Sequence, residues 1–96
     1  MKLPKGYSLF DAADYLKSER DIALYLDACF EEAGDDPAFI ARALGTVARA
    51  RGMSGLAKKS GLTRASLYKA LSGEGNPEFA TILKVINALG LKLKVV

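Results

Sequence analysis

The chain has 96 residues, half of them apolar, and a formal net charge of +3, which fits one small domain spanning residues 1–96. Histidine is absent, and Cys29 is the one cysteine. Because histidine is the commonest acid–base group near neutral pH and a frequent metal ligand, we expect no enzyme, no cofactor and no metal site.

The sequence also bears on the compartment. No apolar run is long enough to cross a bilayer, and the start MKLPKGYSLF lacks the hydrophobic stretch of a secretion signal. A lone Cys29 within a helical apolar stripe is expected to be a buried small hydrophobe, which fits a reducing environment. We therefore expect a cytoplasmic protein with no membrane partner.

Charge divides the chain into two parts. Residues 1–36 contain four Lys or Arg against nine Asp or Glu, a net charge of −5. Residues 37–96 contain ten Lys or Arg against two Glu, a net charge of +8. The basic part predicts a polyanionic partner, whereas the acidic part is either a solvated surface or the contact for another molecule.

The acidic part predicts two helical elements. Residues 10–16 fit a brief helix or an extended arm. Ser18 then caps a helix from Glu19 to about Ala33, with Asp21 reaching back toward the cap as in a capping box. Apolar residues recur at helical spacing along this second helix and define its expected inward face: Ile22, Leu26, Cys29, Phe30 and Ala33.

The next predicted helix begins at Pro37 and ends at Gly52. It is followed by residues 53–72, MSGLAKKSGLTRASLYKALS, which fit two short helices joined at Gly61, where the chain needs a positive φ. Thr63 is placed to cap the second helix, which begins at Arg64. The expected inward residues of that helix are Leu67, Ala70 and Leu71.

The outward residues of residues 53–72 are small, hydroxylated or cationic, as a surface that enters a DNA groove requires. This pattern favours a helix-turn-helix over an ordinary helical hairpin with a solvated basic face. The outward set predicted for the second helix is Arg64, Ala65, Tyr68, Lys69 and Ser72.

The last predicted elements are a helix and a strand. Asn76 and Pro77 are expected to cap and open the helix, which Gly90 ends. Its expected inward face consists of Phe79, Ile82, Leu83, Ile86 and Leu89. Residues Leu91–Val96 alternate as a short strand does, and the chain offers no other convincing strand. Either this strand pairs with a second copy, giving a homodimer, or the segment is a tail that is frayed or packed flat on its own domain.

Residues 52–93, with the upstream FDAADYL and SERDIALYL, closely resemble the addiction-module antidote proteins. These are antitoxins of type II toxin–antitoxin systems, HigA-like, with a Cro/repressor-type helix-turn-helix encoded beside RelE-like toxins. The resemblance covers nearly the whole chain, and LSGEGNPEF is its most specific part. It implies an all-α fold, a small helical bundle with a Cro/repressor-like helix-turn-helix, to which the residue pattern adds the short C-terminal strand and the acidic extension of about residues 1–36.

The resemblance also implies partners. It implies double-stranded DNA, the operator of the chain's own operon, and a cognate toxin that the chain neutralises. The resemblance implies that Thr63, Arg64, Ala65, Tyr68 and Lys69 occupy the DNA-reading positions. Ser54 and Lys58 complete the set of expected DNA-binding residues. Gly55 departs from the family, which often carries glutamine there. Either Ser54 or backbone N–H groups anchor a phosphate instead, or this chain binds DNA more weakly.

A toxin that cuts messenger RNA is basic, so the acidic extension is a candidate surface for it. The expected toxin contacts are Phe10, Tyr15, Leu16 and Tyr25. The competing interpretation is that these side chains belong to the core. Two alternative functions remain open, a free-standing transcriptional regulator without a toxin and a protein-binding module that has lost DNA binding.

Overall fold

The computed structural model describes residues 11–95, and every regular element in that range is helical. The elements are a 3-10 turn at Ala12–Tyr15 and the helices α1 (Glu19–Ala33), α2 (Pro37–Arg51), α3 (Met53–Ser60), α4 (Arg64–Ala70) and α5 (Phe79–Ala88). The chain is therefore a small all-α bundle, as the sequence predicts. No helix in this range is long and apolar enough to span a bilayer.

Side-chain caps fix the starts of α1 and α2 at the predicted residues. The Asp21 backbone N–H donates to Ser18 Oγ at 3.1 Å. Asp21 Oδ2 in turn accepts from the Lys17 N–H at 2.9 Å, one residue before the cap. At α2, Asp36 accepts from the N–H groups of the first turn, where Pro37 has no N–H to offer.

The core is built around α2, which the 3-10 turn, α1 and α3 all contact. Its side chains come from every element, including Leu16 before α1 and Tyr25 and Cys29 on α1. Burial raises the pKa of the Cys29 thiol, which is fully enclosed as predicted. Residues 11–36, which we call the acidic front, are thus part of the same core as α3 and α4 rather than an appendage.

Two ion pairs join the acidic front to the last turn of α2. Arg49 binds Asp11 through two nitrogens, at 2.8 and 3.1 Å, and Arg51 Nη2 lies 3.0 Å from Glu19 Oε1. The hydrogen bond from Arg49 holds the pKa of Asp11 below its usual value. Both arginines also complement the negative end of the α2 dipole.

A close approach positions α4 against α2. A Cβ placed on Gly45, in the middle of α2, would lie 2.9 Å from the backbone oxygen of Leu71 at the end of α4. Glycine is therefore needed here because of the neighbouring backbone, although it weakens the helix that contains it.

The predicted C-terminal strand is not present. Residues 91–95 have no regular secondary structure, and Val96 lies outside the described residues. Leu91 N–H donates to Ile86 O at 3.0 Å and ends α5, whereas the side chains of Leu93 and Val95 are exposed. The physical reason is that no strand in residues 11–95 offers its backbone groups to this segment.

Two further expectations are corrected at the helix surfaces. α5 begins at Phe79 with Glu78 as the N-cap residue, two residues later than the Asn76–Pro77 start, because Glu78 has an extended backbone. Phe30 and Phe79, expected on inward faces, are 51% and 67% exposed. Each lies at the edge of its helix's apolar stripe, where no other element of residues 11–95 covers it.

Candidate nucleic-acid interface

The pair α3–α4 has the predicted turn geometry. Gly61 ends α3 with a φ of 76°, and its N–H donates to Ala57 O. Thr63 Oγ1 accepts from the Ser66 N–H at 3.0 Å and so caps α4. Leu67 and Leu71 are buried and attach α4 to the core. The remaining side of α4 faces solvent.

Arg64 connects the exposed surfaces of the two helices. Its Nη1 donates to Ser54 Oγ on α3, and its Nη2 donates to the Tyr68 hydroxyl on α4, both at 3.2 Å. The guanidinium carbon lies 5.8 Å from the centre of the Tyr68 ring, within the range of a cation–π contact. The guanidinium is therefore held in place at the surface before any ligand arrives.

The charged side chains of this surface are all positive. Residues 37–73 contain no Asp or Glu. Within α3 and α4 the cations are Lys58, Lys59, Arg64 and Lys69, all exposed, and none forms an ion pair with another described residue. The two arginines at the end of α2, in contrast, are already paired with carboxylates of the front. Uncompensated positive charge is thus concentrated on α3–α4.

All seven residues predicted to contact DNA are exposed on α3, on α4 or at the cap between them. The structure brings three of them into direct contact, Ser54, Arg64 and Tyr68, which we call the Arg64 cluster. Thr63 is occupied as the cap of α4, and its hydroxyl also bonds Ser66 Oγ at 2.9 Å. Ala65, Lys58 and Lys69 make no side-chain hydrogen bond with the Arg64 cluster.

A second cationic feature beside this surface was not predicted from the sequence. A cavity of about 660 Å³ lies where the end of α2 and the start of α3 meet the end of α5, and its cations are Arg51, Lys59 and Lys84. Glu19, the ion-pair partner of Arg51, also lines it, so the two lysines supply its unpaired charge. α3 begins after Gly52 without a side-chain cap, so its first N–H groups have no side-chain acceptor. The missing capping residue at Gly52 was the available signal, but Lys84 lies on a distant helix and only the fold brings it here.

The residues predicted to contact a toxin differ from one another in exposure. Tyr15 is 56% exposed, whereas Leu16 and Tyr25 are 6% and 1% exposed and lie in the core. The core interpretation accounts for both buried side chains, because each belongs to the hydrophobic core. Phe10 lies outside the described residues.

Residues 6–96 match the profile of a family described as probable addiction module antidote proteins. The chain belongs to this antidote family. It is 51% identical over 86 residues to a Haemophilus influenzae protein described only as uncharacterized, covering 90% of this chain and 87% of that protein. No solved structure matches the chain.

Membership of the antidote family implies a toxin as partner. Among residues 11–95, no cluster of three or more potential metal-ligating side chains occurs. The exposed features of this antidote that remain to be assigned are the basic surface of α3–α4 and the apolar and acidic surfaces of the front.

Proposed function

We propose that this chain is a DNA-binding antitoxin that neutralises a RelE-like toxin and represses its own operon. The observation that carries the DNA-binding part is Arg64, held between Ser54 and Tyr68 on a surface without a carboxylate. No catalytic role is assigned to any residue.

The geometry of α3–α4 supports docking as a helix-turn-helix of the Cro/repressor type. In such pairs the second helix lies in the major groove while the first crosses the phosphate backbone. α4 is short, and its leading end carries Arg64 and Ala65, which are both exposed. The N-terminal residues of the second helix are the ones that reach base edges in this arrangement.

Each exposed group has a defined role in this proposal. Arg64 has five N–H donors, and two are used within the chain, so others remain for the O6 and N7 atoms of a guanine. Ala65 offers a methyl group to a thymine methyl. Lys58 and Lys69 neutralise phosphates and provide affinity independent of sequence.

Two copies of the chain are proposed to bind together. A dimer with two-fold symmetry presents two copies of α4 to half-sites one helical turn apart, which is how helix-turn-helix proteins reach operator affinity. The segment Leu91–Val96 is one candidate for the contact between copies, since Leu93 and Val95 are exposed in the single chain.

The test is fluorescence anisotropy with a labelled duplex from immediately upstream of the chain's own gene. We expect Arg64→Ala to weaken binding by about 1–3 kcal/mol, the usual loss for one bidentate base contact. The matched control is Arg20→Ala, which removes an exposed cation from α1. Equal losses for the two variants, or none for Arg64→Ala, would remove α4 as the DNA-reading helix.

Salt dependence gives an independent measurement on the same duplex. If the four cations of α3–α4 in each subunit contact phosphates or bases, the logarithm of affinity should fall steeply with the logarithm of salt, by roughly 0.9 for each phosphate neutralised. A slope near zero would favour the alternative of a protein-binding module that retains only the shape of a repressor.

The toxin part is tested by co-expression with the reading frame adjacent to the gene. We expect a small basic protein whose toxicity is suppressed by the chain. A regulator without a toxin would repress the upstream promoter in the absence of any such neighbour.

A further inference from the structure

An apolar groove lies on a part of the surface separate from the Arg64 cluster. It is formed where the end of α1, the start of α2 and the start of α5 meet, and its volume is about 400 Å³. We call it the Phe30–Phe79 groove after the two aromatic side chains at its edges. The other side chains that give it its apolar character are Pro37, Ile40, Pro77 and Ile82.

Both phenylalanines are exposed to an extent that is unusual for this residue type. Phe30 is 51% exposed and Phe79 is 67% exposed, whereas Phe39 in the core is 5% exposed. Aromatic side chains gain more from burial than most others, so two of them beside one groove indicate a surface that a partner covers.

Charge around the groove is negative. Among residues 11–95, Asp35 lines it, and no Lys or Arg does. Asp27 lies one helical turn before Phe30 on the same exposed face of α1, and Glu31 follows Phe30 directly. None of these three carboxylates forms an ion pair with another described residue, so their charge is available to a partner.

We propose that the Phe30–Phe79 groove is the docking site for the toxin, receiving an apolar side chain from a cationic surface. This inference rests on the proposed antitoxin function. A toxin that cuts messenger RNA binds a polyanion and is therefore basic, so its surface complements Asp27, Glu31 and Asp35. The groove shares no residue with the Arg64 cluster, so one chain can hold toxin and DNA together.

A second copy of the chain is the less favoured occupant. A two-fold contact through the groove would bring the carboxylates of both copies together, which opposes association. The tail at residues 91–95 has alternating leucine and lysine and could enter the groove of another copy, but it supplies only two cations. Light scattering together with toxin affinity separates this outcome from toxin docking.

The experiment titrates the purified full chain with the purified product of the adjacent toxin gene by isothermal titration calorimetry. We expect Phe30→Ser and Phe79→Ser each to weaken binding by at least about 10-fold, as central aromatic contacts do. The matched control is Leu24→Ser, which removes an exposed apolar side chain of α1 that does not line the groove and should leave the affinity unchanged.

The charge contribution is measured by stopped-flow association rates. We expect the double variant Asp27→Lys, Glu31→Lys to slow association by about 10-fold or more at low salt, with the difference shrinking as salt rises. Each single variant, Asp27→Lys or Glu31→Lys, raises the net charge by two. Asp14→Lys, at an exposed carboxylate of the 3-10 turn, raises it by the same amount and is the control for each of them. Thermal unfolding of each variant verifies that the fold is retained.

The outcomes are distinguishable. If the unmodified chain does not bind the adjacent gene product, the antitoxin function fails before any variant is compared. If the unmodified chain binds and the groove variants bind equally well, the groove assignment is overturned while the antitoxin function stands. If light scattering shows that the phenylalanine variants lose a dimer while toxin affinity is kept, the groove is a contact between copies and the proposal is overturned.

Discussion

The acidic front, residues 11–36, and the basic pair α3–α4 use charge in opposite ways. Two carboxylates of the front, Asp11 and Glu19, are bound to the arginines that end α2. The four cations of α3–α4 have no such partner among the described residues. Part of the charge of the front therefore supports the fold, whereas the charge of α3–α4 is left for a ligand.

The two regions also differ in how they use aromatic side chains. The front buries Tyr25 completely and exposes Phe30, while α4 exposes Tyr68 as a support for Arg64. Exposure alone does not define a site. An exposed aromatic that orients a charged group predicts a different partner from one that borders an apolar groove.

The largest loss of stability is expected when a core side chain of the acidic front is removed. Tyr25→Ala should lower the free energy of unfolding by about 3–5 kcal/mol, because its side chain is fully buried in the core. Leu24→Ala is the matched control, since the neighbouring side chain is 53% exposed and should cost little. Urea denaturation measures both, and equal losses would show that the front is not anchored through Tyr25.

Two glycine substitutions compare a position on α2 that the end of α4 covers with a position on α3 that faces open space. Gly45→Ala should lower stability by about 1–2 kcal/mol, because the added methyl group meets the Leu71 carbonyl and the overlap outweighs the gain in helix propensity. Gly55→Ala adds a methyl group where no atom lies within 4 Å, and it should raise stability by about 0.5–1 kcal/mol. Urea midpoints of both variants give the measurement, and a stabilising Gly45→Ala would show that α4 is free to move away from α2.

The smallest effect concerns the ion pair between the front and α2. Since the pKa of Asp11 is lowered in the folded chain, its stabilising contribution is present above the unfolded pKa, about 4, and is lost as the pH falls through the folded value. Asp11→Asn should cost about 0.2–1 kcal/mol at pH 7, as exposed ion pairs do.

The difference between Asp11→Asn and the unmodified chain should shrink below pH 4 in urea denaturation. Asp14→Asn, in the same turn but without an ion pair to another described residue, is the control and should cost less than Asp11→Asn at pH 7. A difference that persists at low pH would mean that packing of the turn, rather than charge, is affected.

Much of the fold could be predicted from residues that act locally. Ser18, Asp36 and Thr63 bond to N–H groups two or three positions away, and Gly61 takes the positive φ that ends α3, so these boundaries depend on a few neighbouring residues. The predicted start of α5 was wrong. Asn76 and Pro77 are residue types that commonly begin a helix, but the backbone at Glu78 is extended and α5 begins after it.

The sequence predicted the exposed positions of the two candidate sites with unequal success. The exposed positions of α4 follow from helical periodicity together with the apolar anchors Leu67 and Leu71. The toxin contacts could not be assigned in this way, because Tyr15 and Tyr25 are chemically alike and only packing against α2 leaves one exposed and buries the other.

By itself the sequence determined the five helices, the turn at Gly61 and the concentration of positive charge after residue 36, because periodicity, capping and charge are properties of neighbouring residues. The tertiary structure decided which charges are neutralised, which aromatic side chains are covered and whether the C-terminal segment finds a partner strand. Those outcomes depend on contacts between residues far apart in the chain. Asp11 with Arg49 and Phe30 beside Phe79 are two such cases, and no local pattern encodes them.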